Sequence, residues 1–235
     1  RTCLYYPPKP KRIPESNSLI DFDKYEYLLK RSFGTNFCSR IKDKRVLDHG
    51  CGEGGYSITM CNHSPKLVLG LDIYSNKTDL AEKLITDNSY KNISFCNDKI
   101  ELLEKNSFDF VISHDSFEHF NNPECELKEM IRVTKSGGSI FIKFGPTWAS
   151  PFGRHMSGTI RRDRPWIHLL FSERQIMRTQ SVYHNEKFLK TKYSELDGGL
   201  NKMTVAKFFT ILRKNEDIEI KRRYIFPVIS NKLIF

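Results

Sequence analysis

Residues 46–55 read VLDHGCGEGG. A short apolar run ends in an acid and passes straight into a turn holding Gly50, Gly52, Gly54 and Gly55, after which the sequence turns helix-like. Glycine lets a backbone turn tightly and approach a ligand closely. Strand, glycine loop and helix in that order make a nucleotide-type site at the carboxyl end of a parallel sheet.

Two readings of the loop follow. Gly50, Gly52 and Gly55 satisfy the G-x-G-x-x-G spacing of a dinucleotide loop. Asp48 followed by Gly50, Gly52 and Gly54 equally fits a loop for S-adenosylmethionine. Charge separates them. A pyrophosphate against the helix start is repelled by Asp48 and Glu53, whereas a sulfonium and an ammonium are attracted by them. The acids therefore favour S-adenosylmethionine over a nicotinamide cofactor. Asp72 ends the next strand signal, LVLGLD at 67–72, where a carboxylate can accept both ribose hydroxyls of an adenosine. Asp98 follows the strand signal ISF at 93–95; it can take the adenine amino group, and the Lys99 backbone N–H its ring nitrogen.

Outward from the loop the pattern repeats. Strand signals lie at 45–48, 67–72, 93–95, 108–113 and 139–144, and helix signals at 18–33, from 55, at 77–87 and at 123–135, with a turn at Gly137-Gly138. Apolar strands alternating with helices predict a parallel sheet covered on both faces. After Gly145 the rhythm breaks. Aromatics, prolines and basic residues mix up to about Gly199, with one helix opened by Ser172 and Glu173. A helix at 204–214 and a strand at 217–225 follow.

Taken in order, VLDHGCGEGG, LDIYS, FCND, NSFDFVISHDSFEHF and VTKSGGSIFIKF resemble the class I S-adenosylmethionine-dependent methyltransferases of the small-molecule type. The resemblance covers residues 45–145. It implies a doubly wound, Rossmann-like α/β fold with seven strands, the last antiparallel. It also implies that Asp48, Gly50, Cys51, Gly52 and Gly54 surround the methionine end. Asp72 and Ile73 would meet the ribose, Asp98 and Lys99 the adenine, and His114 would stand at the crevice. His49 departs from the family, which usually has an aliphatic residue there. The Asn/Asp-Pro-Pro-aromatic segment of base-amine methyltransferases is absent after the fourth strand. The Glu118-His119 pair resembles one found in small-molecule members, where it packs a helix start.

The irregular stretch stands where this family inserts segments that cover the substrate, giving a cap at about 146–200 within a methyltransferase domain of residues 18–235, preceded by an arm at 1–17. Trp148 and Trp166 would wall an acceptor pocket, and Arg161, Arg162 and Arg164 would fork onto an acidic group. His155 and His168, then His114, are the candidate proton acceptors, because histidine titrates near neutral pH.

Composition narrows the class. An apolar share of 39% over 235 residues supports one packed domain. No run of eighteen apolar residues signals a membrane span. The six cysteines form no C-x-x-C pair, so the spacing predicts no metal site and suits reduced thiols in a cytoplasmic protein. The net charge of +10 favours anionic partners. The acceptor expected is a small or glycan-like molecule, an acidic one suiting the arginines. An RNA methyltransferase is the second reading and a non-catalytic S-adenosylmethionine-binding regulator the third. Oligomeric state is left open by the sequence.

Overall fold

The computed structural model describes residues 20–87, 90–154, 164–184, 192–195 and 199–221. The expected arm at 1–17 lies outside them, as do His155, Arg161, Arg162 and the end of the expected strand at 217–225. The chain divides into two compact units, Arg1–Phe117 with Glu129–Lys143, and Glu118–Lys128 with Phe144–Phe235.

The first unit opens with α1 (Phe22–Phe33), whose start is capped by Asp21, which accepts the Lys24 N–H at 3.0 Å. Leu29 and Phe33 form its buried stripe, and Gly34 ends it at φ 106°. A single turn, α2 (Phe37–Arg40), follows. Then strands and helices alternate: β1 (Arg45–His49), α3 (Gly55–Cys61), β2 (Leu67–Leu71), α4 (Ser75–Asp87), β3 (Ile93–Cys96) and β4 (Phe108–His114). The helix α5 (Pro123–Val133) feeds directly into β5 (Thr134–Lys143).

The five strands form one parallel sheet in the order β3-β2-β1-β4-β5. Their apolar runs explain this: Val46, Val68, Ile93, Phe110 and Ile112 are buried in a common core with Leu29, Phe33, Phe37, Ile58 and Met60. Such strands need helices on both faces. The order reverses at β1, which pairs with β2 on one side and β4 on the other. A crevice at the carboxyl ends of β1 and β4 is the usual ligand position of such sheets.

Two expectations need correction. The turn predicted at Gly137-Gly138 lies inside β5. Phe108 pairs with Thr134 but Phe110 pairs with Ser139, so the intervening residues are a bulge in a strand that begins earlier than its apolar run. Of the seven strands expected, the described residues contain five, all parallel. Residues 217–221, the described part of the strand expected at 217–225, carry no strand; among the described residues no strand lies beside them to pair with, and Ile220 is exposed.

The described part of the second unit contains α6 (Ile167–Leu170), α7 (Glu173–His184) and α8 (Val205–Arg213), the last capped by Thr204 accepting the Lys207 N–H at 3.1 Å. Its core gathers Ile176, Met177, Tyr193 and Leu200, with Trp148 packed against them.

Candidate cofactor and acceptor sites

The glycine loop leaves β1 and turns beneath the end of β2, where Gly50 N and Cys51 N both donate to the Leu71 carbonyl at 2.7 and 3.1 Å. Gly52 lies at φ +55° with nothing within 4 Å of where a Cβ would point, so this part of the loop offers bare backbone to open space. Gly54, at φ +80°, is glycine for the opposite reason: a Cβ there would come within 2.6 Å of the Phe95 ring and 2.9 Å of Ala81. One glycine leaves open space over the loop and the other lets α3 start against β3 and α4.

Asp48 is buried and accepts the Ser57 hydroxyl at 2.5 Å. Burial pushes its carboxyl up to about 7; the Ser57 hydrogen bond lowers it and the Asp72 charge raises it further. Asp72 closes the loop by accepting Gly52 N at 2.8 Å on one oxygen, and Tyr74 N at 3.1 Å on the other. Among the described residues neither carboxylate is paired with a lysine or arginine. A buried acid without a cation is costly in its charged form. A ligand carrying a sulfonium and an ammonium supplies the missing positive charge, so the residues present fit S-adenosylmethionine.

The other expected cofactor residues fall at the same sheet edge. Asp98 is exposed just past β3, with the Cys96 thiol 3.6 Å from it. Lys99 is exposed, Ile73 exposed beyond β2, and Cys51 buried in the loop. His49, the departure from the family pattern, is buried at the end of β1.

His114 is buried at the end of β4. Its Nε2 lies 3.0 Å from the Ser32 hydroxyl and its Nδ1 3.2 Å from Asp115, with the Tyr56 ring 4.1 Å away. Burial lowers its pKa, against the pull of Asp115. These contacts tie the imidazole to α1 and to the end of β4.

In the second unit, Glu118 and His119 do structural work. Glu118 Oε1 accepts Gly145 N at 2.9 Å, the Glu118 carbonyl accepts Asn201 N, and His119 Nδ1 lies 2.6 Å from the Gly199 carbonyl. His168 is buried, with Nε2 donating to the Trp148 carbonyl at 2.6 Å and the ring edge-on to Trp148. Its Nδ1 is buried without a hydrogen-bond partner among the described residues. With Nε2 as the donor, Nδ1 carries a lone pair. Trp148, expected to wall a pocket, is partly buried against the unit's core, with Tyr193 and His168 edge-on to its ring and the cleft residue Lys202 5.5 Å over it. Trp166 is exposed at φ 59°, and Arg164 is exposed beside it.

A cleft of about 740 Å³ opens in this unit, lined by Ser172, Glu173, Arg174, Lys192, Ser194, Leu200, Asn201 and Lys202. Lys202 pairs with Glu173, which also accepts Tyr193 N at 3.0 Å. That leaves the cleft with an excess of positive charge from Arg174 and Lys192. None of these residues was singled out as a substrate contact from sequence. Their only signal was position: Arg174 and Lys192 are ordinary surface cations until the fold groups them.

Residues 41–192 match a family described as a methyltransferase domain. The chain is 30% identical over 119 residues to a malonyl-[acyl-carrier protein] O-methyltransferase of Priestia megaterium, covering 50% of this chain and 42% of that protein. It is 32% identical over 104 residues to a ubiquinone biosynthesis O-methyltransferase of Coxiella burnetii, covering 43% of this chain and 44% of that protein. The chain thus spans less than half the length of these curated relatives. Among solved structures, the YcgJ protein of Bacillus subtilis aligns with a TM-score of 0.45 at 21% identity, over 51% of this chain and 50% of that one.

Proposed function

The chain belongs to the methyltransferase-domain family, and we propose that it transfers a methyl group from S-adenosylmethionine to an oxygen or nitrogen of a small or glycan-like acceptor bearing negative charge. The observation that carries this reading is the buried Asp48 carboxylate, set beside Asp72 under a glycine loop with no cation of the described chain to neutralise it. Asp48 and the loop backbone would hold the methionine end, Asp72 and Ile73 the ribose, and Asp98 with the Lys99 N–H the adenine. When bound, S-adenosylmethionine supplies a methyl group made electrophilic by its sulfonium.

The chain's own part is to orient the acceptor and to take up its proton. Arg174 and Lys192 would hold an anionic group of the acceptor, with Arg161, Arg162 and Arg164 as further contacts and the segment 146–200 as the cap. His168 is the proposed base for a hydroxyl acceptor, because the Trp148 carbonyl holds Nε2–H and leaves Nδ1 able to accept a proton. His155 is the alternative. The O-methyltransferase names of the two relatives support an oxygen acceptor. The same reading carries a seven-stranded sheet with an antiparallel last strand, whose two further strands would come from outside the described residues.

Calorimetric titration tests the proposal. S-adenosylhomocysteine should bind in the micromolar range, NADH should not bind, and Asp72→Ala should weaken the homocysteine ligand by about a hundredfold, as expected for losing a charge-assisted contact of roughly 3 kcal/mol. NADH binding in its place would overturn the reading of the loop. Binding of S-adenosylhomocysteine with no methyl transfer to any oxygen, nitrogen or RNA acceptor would favour a regulatory domain.

A further inference from the structure

Away from the glycine loop, three side chains from separate helical elements converge. Glu26 stands on α1, Cys38 on α2, and His63 in the turn after α3. One ligating atom of each, a carboxylate oxygen, the thiol sulfur and an imidazole nitrogen, lies within 4.8 Å of the other two. We propose that Glu26, Cys38 and His63 form a binding site for a zinc-like divalent cation, separate from the methyl-transfer site, that staples α1, α2 and the end of α3 together.

The spacing fits the ion. Zinc bonds to oxygen and nitrogen run about 2.0–2.1 Å and to sulfur about 2.3 Å, so a tetrahedron puts O and N about 3.3 Å apart and S about 3.6 Å from either. His63 Nε2 already lies 3.3 Å from Glu26 Oε2. Because the three atoms lie within 4.8 Å of one another, the thiol has at most about 1.2 Å to close, within reach of small side-chain rotations. The two Glu26 oxygens are divided between tasks: Oε2 faces His63, while Oε1 pairs with Lys30 one turn along α1. A partner on the outer oxygen is how ligating carboxylates are commonly oriented.

The donor set selects the metal class. One thiolate, one imidazole and one carboxylate suit zinc or cobalt(II), whereas the sulfur disfavours magnesium or calcium. Cys38 is buried and His63 and Glu26 partly so, which leaves the fourth position to water or a small anion. Without an ion, burial and the Glu26 charge push the Cys38 thiol up to about 11, with Lys30 pulling the other way. Metal binding replaces the S–H bond with an S–metal bond and releases the proton to solvent; a coordinated thiol is deprotonated outright. Burial of Cys38 among apolar residues also keeps it from disulfide chemistry, and it is a free thiol here.

The test uses the full chain, stripped with chelator and titrated with cobalt(II). One equivalent should produce a thiolate-to-cobalt charge-transfer absorption, which zinc then abolishes by displacement, and zinc should raise the melting temperature of the stripped protein. Cys38→Ser should remove the charge-transfer band, and His63→Gln and Glu26→Gln should each weaken cobalt binding by at least about tenfold. Cys125→Ser, which changes an exposed thiol elsewhere, should leave the band in place. If Cys38→Ser fails to fold, His63→Gln and Glu26→Gln decide the matter. The proposal is overturned if no thiolate band forms in the wild type, or if the band persists with unchanged affinity in His63→Gln and Glu26→Gln. None of these readouts depends on S-adenosylmethionine, so the site stands or falls apart from the methyl-transfer reading.

Discussion

The two units of this chain differ in where their charged groups meet solvent. In the parallel-sheet unit, the polar residues at the strand ends are buried: Asp48 with only a serine hydroxyl, Asp72 spent on loop backbone, His114 clamped between Ser32 and Asp115. The second unit also buries polar groups, Glu118, Arg154 and His168 among them, but in addition it opens a cleft lined by Arg174, Lys192 and the Lys202–Glu173 pair. Buried charge in the first unit is costly until a cation arrives, which suits a site for one fixed cofactor. Solvated charge in the second costs little and attracts anions broadly, which suits a variable acceptor. The contrast predicts that substitutions in the first unit change folding and cofactor affinity together, while substitutions in the cleft change only the acceptor.

The largest effect should come from Gly54→Val. The φ of +80° disfavours a β-branched residue, and its Cβ would strike Phe95 and Ala81. A loss of about 3 kcal/mol or more is expected, read as a fall in melting temperature of about 10 °C, together with lost S-adenosylhomocysteine binding. A stable variant that still binds would show the loop to be looser than its packing implies. His168→Gln comes next. It should lower kcat about a hundredfold with an oxygen acceptor while leaving S-adenosylhomocysteine affinity within about twofold. An equal loss in KM and stability with kcat unchanged would make His168 a core residue alone.

Asp48→Asn sharpens the contrast through pH. The folded carboxyl titrates near 7, above its ordinary value, so the native state holds more protons than the unfolded chain between those limits. Stability should therefore fall as pH rises from about 4 to 7, then level off. Asparagine removes that dependence. Without ligand the variant should melt about 5 °C higher than wild type at pH 8 and the same at pH 4, while cofactor affinity is lost. Equal melting at both pH values would mean that Asp48 is not strained by burial. The smallest effect is expected from Arg174→Ala, a rise of about five- to tenfold in KM for an anionic acceptor, suppressed by salt, with unchanged S-adenosylhomocysteine binding.

Much of the first unit was legible from pattern alone. The strand at Arg45–His49, the loop glycines and Asp72 could be named because parallel strands are apolar runs, and because glycine followed by a helix start has few other uses. The distinction between Gly52 and Gly54 was not legible, since it depends on where Phe95 arrives from another strand. His114 reads as a crevice residue, and its contact with Ser32 on α1 could not be read from the chain. Trp148 reads as a pocket wall, and its contacts with Tyr193, His168 and Lys202 could not be read from the chain either.

What the amino-acid sequence determined by itself is the alternation of strands and helices, the loop that leaves β1 and the acids flanking it, since each is written in a few neighbouring residues whose chemistry is local. The tertiary structure alone decided which side chains meet: the bulge that starts β5 early, the cations around the second unit's cleft, and the trio of Glu26, Cys38 and His63 drawn from three elements. These depend on long-range packing, and no spacing along the chain records a contact made between helices brought together by a shared core.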